Sequence, residues 1–209
     1  MEKKELELYI HIPFCVRKCN YCDFLSFPAD EDTQRQYVKA LCKEITYYGA
    51  HCRDYVVSTV YIGGGTPSWL WESDMAAIMD AVHQSFSLLP GAEVSIECNP
   101  GTVTAQKFAV YRQSGINRIS LGLQSAQNVE LKMLGRIHTW EQFIKTYELA
   151  RAGEFSNINV DLMSSLPGQH IETYADSLQK VCRLKPEHVS AYSLIIEKGT
   201  PFYDLYKFD

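Results

Sequence analysis

The sequence predicts an α/β protein built on a six-stranded parallel sheet. Six segments with strand-like patterns alternate along the chain with stretches in which apolar residues recur at helical spacing. Strands that alternate with helices are joined by right-handed crossovers, which place neighbouring strands parallel. The predicted strands cover residues 6–12, 55–62, 92–97, 117–123, 157–162 and 188–195.

The first strand and the first helix follow from side-chain periodicity. Residues 6–12 alternate apolar and polar side chains, and Pro13 ends the strand because proline cannot donate a sheet hydrogen bond. Residues 33–49 have helical spacing, which indicates a helix with one buried face. That face is expected to consist of Tyr37, Leu41, Ile45 and Tyr48.

Further helices are predicted between the later strands. One lies near residues 104–114 and is closed by Gly115, since glycine readily adopts the left-handed conformation at helix ends. The other predicted helices cover residues 73–86, 129–134, 140–152 and 171–184. An open, doubly wound sheet is the alternative arrangement. It is disfavoured because the GGGTP segment, residues 63–67, lacks the G-x-G-x-x-G pattern of dinucleotide-binding folds.

The strongest chemical signal is the segment CVRKCNYC, residues 15–22. Its three cysteines, Cys15, Cys19 and Cys22, are spaced so that one short loop can turn them toward one point. Thiolates are ligands of iron–sulfur clusters and of zinc. No fourth cysteine or histidine follows promptly, so a cluster held here would have one iron without a protein ligand. An iron without a protein ligand can bind another molecule, so this pattern indicates a reactive site.

Two other interpretations of the cysteines stay open. A structural zinc site normally has four protein ligands, and His11 is the nearby residue that could supply the fourth. A thioredoxin-like interpretation of Cys19 and Cys22 leaves Cys15 unexplained. The remaining cysteines are scattered along the chain, and we expect them to be buried: Cys42, Cys52, Cys98 and Cys182.

Composition disfavours several classes of protein. The chain has 25 Asp and Glu against 20 Lys and Arg, whereas a broad nucleic-acid-binding surface needs excess positive charge, so we expect no nucleic-acid partner. Seven cysteines fit metal binding in a reducing compartment better than a disulfide framework. The N-terminal MEKKE is followed by no long apolar stretch, and no segment is long enough to cross a bilayer. We therefore expect a cytoplasmic protein without an integral membrane segment.

The segment YIHIPFC, residues 9–15, running on through Cys19 and Cys22, closely resembles radical S-adenosylmethionine (SAM) enzymes. Within them it is similar to the branch of coproporphyrinogen dehydrogenases and heme chaperones of the HemW type. The resemblance extends over nearly the whole chain and implies a partial (β/α)6 barrel, TIM-like and of the radical SAM type. It also implies that the three cysteines hold a 4Fe-4S cluster and that SAM chelates the fourth iron. An electron donor would then reduce the cluster, which allows reductive cleavage of SAM.

The same resemblance implies a set of cofactor-binding residues. The glycine segment (residues 63–67) looks like the part of these proteins that binds the amino group of SAM, and glycines let backbone amides approach a ligand. The implied contacts to SAM are Tyr9, Tyr21, Gly64, Gly65, Thr66 and Glu97. The positions that match contacts to a second SAM in coproporphyrinogen dehydrogenases are Gln124, Arg136 and Asp161.

These residues also suit a binding site on physical grounds. Glu97, Gln124 and Asp161 leave the third, fourth and fifth strands, and barrel active sites gather at such strand ends. The planar fork of Arg136 can bind both oxygens of a carboxylate. We therefore expect one rim of polar side chains beside the cysteines.

Two departures from the family pattern affect function. Coproporphyrinogen dehydrogenases usually carry a further cysteine two residues after the last cluster cysteine, where this chain has Phe24, as the chaperone branch has an aromatic residue. This favours a heme chaperone that transfers heme to acceptor proteins over oxidative decarboxylation of coproporphyrinogen III, and leaves enzymatic activity open. In addition, Ser165 stands where the family usually has glycine, which alters the turn after Asp161.

The resemblance also bears on the end of the chain. Family members continue beyond the position of Asp209 into a C-terminal domain that covers the mouth of the barrel and helps to hold the porphyrin. We expect residues 1–209 to be a single radical SAM core domain without that part, and to bind heme weakly.

Overall fold

The computed structural model describes residues 4–207. Met1 to Lys3, within the N-terminal segment considered above, and Phe208 and Asp209 at the chain end lie outside the described residues. Six strands form one sheet in which every neighbouring pair is parallel. They are β1 (Lys4–Ile12), β2 (Tyr55–Gly64), β3 (Leu88–Cys98), β4 (Arg118–Gln124), β5 (Ile158–Ser164) and β6 (His188–Ser193).

Helices connect the strands and confirm the predicted alternation. They are α1 (Glu31–His51), α2 (Glu72–Ser85), α3 (Ala105–Gln113), α4 (Asn128–Met133), α5 (Trp140–Ala152), α6 (Ile171–Arg183) and α7 (Pro201–Tyr206). Side-chain caps fix several starts: Asp30 accepts from the Thr33 amide at α1, and Thr139 forms a capping box with Gln142 at α5. A short 3-10 helix, Pro67–Trp69, and α7 were not predicted.

The strands lie in the sheet in their order along the chain, from β1 to β6. A doubly wound sheet would reverse direction at a switch point, so that alternative is wrong. Sequential winding with helices between the strands is the topology of a barrel, and in the described part of the chain β1 and β6 remain its two edges. The predicted partial (β/α)6 barrel is confirmed.

The main core lies between the sheet and the helices. Strand β4 is the most deeply placed, with every residue from Ile119 to Gln124 buried. On α1 the buried face differs from the prediction: it runs through Val38, Ile45 and Gly49, while Tyr48 is exposed. A side chain at Gly49 would lie 2.5 Å from Ser85 Cβ, so the glycine allows α1 to pack closely against the end of α2.

A second apolar cluster supports the segment that contains the three cysteines. It consists of Leu134, Met163, Leu166 and Phe202, with Tyr21 packed against it. Phe202 belongs to α7, and its amide donates to the Asn20 carbonyl at 3.0 Å. The short α7 therefore helps to hold the cysteine-containing loop.

The other cysteines are not all buried as expected. Cys98 is buried, Cys42 and Cys52 are partly buried, and Cys182 is exposed because it lies on the outward face of α6. All seven cysteines lie within residues 4–207 and all are free thiols. Among the described residues, no helix combines the length and apolar character needed to cross a membrane.

Candidate functional site

The carboxyl ends of the strands surround a cavity of about 650 Å³. All but one of the predicted site residues line it. They are Cys15, Cys19, Tyr21, Cys22, Gly64, Gly65, Thr66, Glu97, Gln124, Arg136 and Asp161. Tyr9 lies outside the lining; it is 61% exposed and its ring stacks on Tyr61, which does line the cavity.

Backbone hydrogen bonds fix the shape of the cysteine loop (residues 15–22). Its start is closed by a bonded pair: the Cys15 amide donates to the Phe27 carbonyl at 3.1 Å, and the Phe27 amide donates to the Pro13 carbonyl at 2.9 Å. Its middle is attached to the segment after α4, because Asn20 donates through its amide and its side chain to the carbonyls of Leu134 and Met133. The loop is thus held at both sides of the cavity.

The glycine segment is bonded directly to the chain that leads into the cysteine loop. The Gly65 amide donates to the Ile12 carbonyl at 2.8 Å, and the Thr66 amide donates to the Phe14 carbonyl at 2.7 Å. These two amides are therefore used within the protein, so a contact of Gly65 or Thr66 with a ligand would be made by their other atoms. Close packing is the reason for glycine here, since a Cβ at Gly65 would lie 2.7 Å from the Phe14 carbonyl oxygen.

Two of the three cysteine sulfurs accept hydrogen bonds from neighbouring side chains. Thr66 Oγ1 donates to Cys15 Sγ at 3.4 Å, and Arg136 Nη1 donates to Cys19 Sγ at 3.7 Å. Donors of this kind favour the thiolate, the form that ligates metals. Burial raises the pKa of the Cys22 thiol, so forming its thiolate costs free energy that a bound metal would offset.

The arrangement suits a cluster better than a single zinc ion. Within residues 4–207, no three His, Cys, Asp or Glu side chains lie close enough together to hold one ion. A cubic cluster places its iron atoms at separate corners, so its thiolate ligands need only surround a common cavity, as these three do. His11 is already engaged, with Nδ1 bonded to the Tyr9 hydroxyl at 3.1 Å and Nε2 to the Leu25 carbonyl at 2.9 Å.

Glu97 at the end of β3 joins two walls of the cavity. It accepts from the Tyr61 hydroxyl at 2.8 Å and from the Gly64 amide at 3.1 Å. Burial raises the pKa of its carboxyl group, and the two hydrogen bonds act in the opposite direction. A cation bound beside Glu97 would favour its ionised form.

Gln124 is the last residue of β4, whereas Asp161 lies inside β5, three residues before its end and not at the strand end as predicted. The backbone of Gln124 is left-handed, with φ 74°, next to a register shift in the β4–β5 ladder, and its Oε1 accepts from the Tyr192 hydroxyl at 2.9 Å. Asp161 accepts from Asn159 Nδ2 at 2.7 Å and from Ser120 Oγ at 3.3 Å. Burial raises the pKa of the Asp161 carboxyl group.

Arg136 follows α4, and its side chain lines the cavity. It is not a surface arginine on a helix. Its Nη2 donates to Asn99 Oδ1 at 2.5 Å and to the Gly122 carbonyl at 2.6 Å. Its Nε is buried and has no hydrogen-bond partner within the described residues. A buried N–H without a partner is costly, so this atom is available to an acceptor on a bound ligand.

Several residues of the cavity were not predicted as site residues. Asn99 directly follows β3, and its place at a strand end was a usable signal. Tyr61 and Tyr192 lie inside strands, where aromatic residues are common, so no sequence signal separates them from core residues. Ser120 and Ser190 face the same cavity. Phe24 also lines it and is 64% exposed.

Comparison with known proteins places this cavity in a family. Heme chaperone HemW of Escherichia coli (strain K12) is 41% identical over 198 residues, covering 94% of this chain and 52% of that protein. Heme chaperone HemW of Bacillus subtilis (strain 168) is 36% identical over 200 residues, with coverage of 94% and 52%. The chain thus spans about half the length of the curated relatives it matches.

Solved structures agree with this assignment. Coproporphyrinogen III oxidase (HemN) from Escherichia coli, described as a radical SAM enzyme, superposes with a TM-score of 0.86 at 29% identity, covering 93% of this chain and 45% of that one. Methylornithine synthase (PylB), at 15% identity and a TM-score of 0.65, is similar in fold alone. The sequence model of the Radical SAM superfamily matches residues 9–181. With this match and a half-open barrel whose cysteine loop faces the strand ends, the chain belongs to the radical SAM superfamily.

Proposed function

We propose that this chain is the SAM- and cluster-binding core of a heme chaperone that delivers heme to acceptor proteins. The observation that carries the proposal is its 41% identity to a heme chaperone over 94% of the chain. Phe24 supports it, because the related dehydrogenases usually have cysteine at that position. We also propose that residues 1–209 form one core domain, and that it works in the cytoplasm beside an electron donor. Its free cysteines fit that reducing compartment.

The three cysteines would hold the cluster, and other side chains would orient SAM. When bound together, a 4Fe-4S cluster and SAM supply one-electron reductive cleavage of SAM. Glu97 offers a carboxylate to the positively charged part of SAM, and the buried Nε of Arg136 offers a donor to a carboxylate. The other proposed contacts are Tyr9, Tyr21, Gly64, Gly65 and Thr66, with Gln124, Arg136 and Asp161 as contacts to a second SAM.

A second candidate function is oxygen-independent coproporphyrinogen III dehydrogenation. It is favoured by the close superposition on coproporphyrinogen III oxidase. Both functions use the same cofactors and differ in what happens to the porphyrin. The chaperone binds heme and passes it on unchanged, whereas the dehydrogenase decarboxylates its substrate.

Metal analysis tests the cluster part of the proposal. After anaerobic reconstitution with iron and sulfide, we expect the chain to bind about four irons per molecule, the content of one 4Fe-4S cluster, and Cys19→Ala to lose most of that iron and its EPR signal. Cys182→Ala is the matched control, since Cys182 is exposed on α6 and should bind iron like the parent. Full iron content in Cys19→Ala, or stoichiometric zinc without iron, would refute the cluster assignment.

Porphyrin assays distinguish the two functions. Heme titrations monitored by absorption should show weak binding by the reconstituted 209-residue chain and tighter, saturable binding by the full-length Escherichia coli relative measured beside it. Coproporphyrinogen III supplied anaerobically with SAM and dithionite should stay unconverted. Conversion in proportion to the SAM consumed would favour the dehydrogenase. If neither this chain nor the full-length relative bound heme, and neither converted the porphyrinogen, both functions would be refuted.

A further inference from the structure

Four hydrogen bonds connect Cys15 and Cys19 through side chains from three loops, those that follow β2, β3 and α4. Thr66 Oγ1 donates to Cys15 Sγ at 3.4 Å, and Asn99 Nδ2 donates to Thr66 Oγ1 at 2.9 Å. On the other side, Arg136 Nη2 donates to Asn99 Oδ1 at 2.5 Å, and Arg136 Nη1 donates to Cys19 Sγ at 3.7 Å. Asn99 is the shared centre of this chain of bonds, which we call the cysteine relay.

The amide of Asn99 is suited to this central place. Arginine can only donate, so the amide oxygen must face Arg136, and the amide nitrogen is left to donate to Thr66. Thr66 then has its own hydrogen free for Cys15. One side chain therefore orients two donors so that each points at a sulfur.

The backbone of Asn99 is also fixed. Its amide donates to Ser68 Oγ at 3.1 Å, and its carbonyl accepts from Thr102 Oγ1 at 2.8 Å. These bonds hold the side chain in place before any ligand arrives. The relay is thus built into the segment that follows β3.

A glycine in β4 leaves room for the relay. A Cβ at Gly122 would lie 2.9 Å from Asn99 Oδ1 and 3.2 Å from Arg136 Nη2, so it would crowd both atoms of this hydrogen bond. Gly122 does not have a left-handed backbone, so its conformation does not by itself require glycine. The space is used instead by the contact between Asn99 and Arg136.

We propose that Asn99 is a positioning residue that orients Thr66 and Arg136 as hydrogen-bond donors to the sulfurs of Cys15 and Cys19, and thereby raises the reduction potential of the cluster. The inference rests on the proposed cluster. Reduction adds negative charge to a cluster, and donors to its sulfurs favour the more negative state. Loss of the relay should therefore make the cluster harder to reduce while leaving its ligands intact.

The test is a redox titration of the reconstituted 209-residue chain without SAM, monitored by EPR. Asn99→Ala and Thr66→Val should each shift the reduction potential to more negative values at unchanged iron and sulfide content. The double variant should shift less than the sum of the two, because both changes break the same relay. Thr146→Val is the matched control, because Thr146 is buried and hydrogen-bonded but lies outside the relay. The reduction potential of the cluster in this variant should equal that in the parent.

Gly122→Ala provides a second test that removes no hydrogen-bonding group. Its added methyl group should separate Asn99 from Arg136 and shift the potential in the same direction as Asn99→Ala. A parent chain that takes up no iron would refute the proposed cluster and this inference together. A parent cluster whose potential is unchanged in Asn99→Ala, or in Thr66→Val and Gly122→Ala should Asn99→Ala fail to fold, would overturn the relay alone.

Discussion

Ser165 shows how one residue can depart from its family at a cost in free energy. It has φ 59°, in the left-handed region that favours glycine, and it is exposed directly after β5. The same turn has a second left-handed residue, Gly168, with φ 70°. The left-handed backbone explains why glycine would suit this position, and the serine occupies it under strain.

We predict that Ser165→Gly stabilises the chain. Removing the Cβ relieves about 1–2 kcal/mol of strain in the folded state. The greater freedom of glycine in the unfolded chain offsets about 0.5–1 kcal/mol of this gain. Urea denaturation should thus show a net gain of about 0.5–1 kcal/mol. The neighbouring Ser164→Gly, inside β5, should lose stability. A loss of stability in Ser165→Gly would contradict the strain.

Two aspartates should affect stability with opposite dependence on pH. Burial raises the pKa of Asp161, so the folded chain binds that proton more tightly than the unfolded chain, and stability falls as pH rises above about 3.9, its ordinary value. Hydrogen bonds from Lys180 and Gln127 lower the pKa of Asp176, so its contribution is present at neutral pH and is lost as pH falls.

Denaturation curves from about pH 2 to about pH 7 check both signs, because the pKa of Asp161 lies above the ordinary value of about 3.9 and that of Asp176 lies below it. The stability of Asp161→Asn relative to the parent should improve as pH rises, whereas that of Asp176→Asn should decline. The comparison uses slopes, so a constant cost from altered hydrogen bonds does not affect it. If the free energy of unfolding depended on pH equally in the parent and in Asp161→Asn, burial would not destabilise the ionised carboxylate of Asp161.

At the scale of elements, the cysteine loop and the glycine segment act as one unit. Gly65 and Thr66 donate to the carbonyls of Ile12 and Phe14, so the end of β2 fixes the start of the loop that follows β1. Two segments about fifty residues apart in sequence thus form one wall of the cavity. Any change that separates them should weaken the cluster site before it unfolds the sheet.

Gly65→Ala tests this coupling. The new methyl group would lie 2.7 Å from the Phe14 carbonyl oxygen and 3.0 Å from Cys15 Sγ, neither of which can move freely. We expect clearly reduced iron content after reconstitution and weaker SAM binding by equilibrium dialysis. Gly153→Ala, at the end of α5 and away from the cavity, is the matched control and should keep both. Equal iron content in the two variants would argue against the coupling.

The sequence predicted elements better than it predicted contacts. The helix at Trp140–Ala152 was predicted with both ends correct, because a capping threonine and a glycine mark them. Helix α7 was missed although Thr200 caps it and Pro201 begins it, two signals that the sequence offered. Tyr61 was missed as a site residue because its role depends on Glu97, which only the fold brings to it, whereas the place of Asn99 directly after β3 was a signal that was not used.

At the scale of the whole molecule, the two edges of the sheet differ from its centre. Strand β4 is buried along almost its whole length, whereas most residues of β6 are exposed or partly exposed. In the described chain β6 pairs only with β5. Its amides are therefore protected by one neighbour and little packing.

Native-state hydrogen exchange should follow this gradient. We expect the amides of β4 and β5 to exchange only through global unfolding, and those of β6 to exchange markedly faster through local opening. Mass spectrometry of peptides from each strand would measure the difference. Protection in β6 equal to that in β4 would mean that another surface covers this edge in solution.

The sequential strand order also matters while the chain is being synthesised. Each strand pairs with the one made just before it, so a nascent chain leaving the ribosome can add strands one at a time without waiting for a distant partner. The cysteine loop, the glycine segment and Glu97 all precede Asn99. The wall that would hold the cluster can therefore take shape before Arg136 is synthesised and completes the relay.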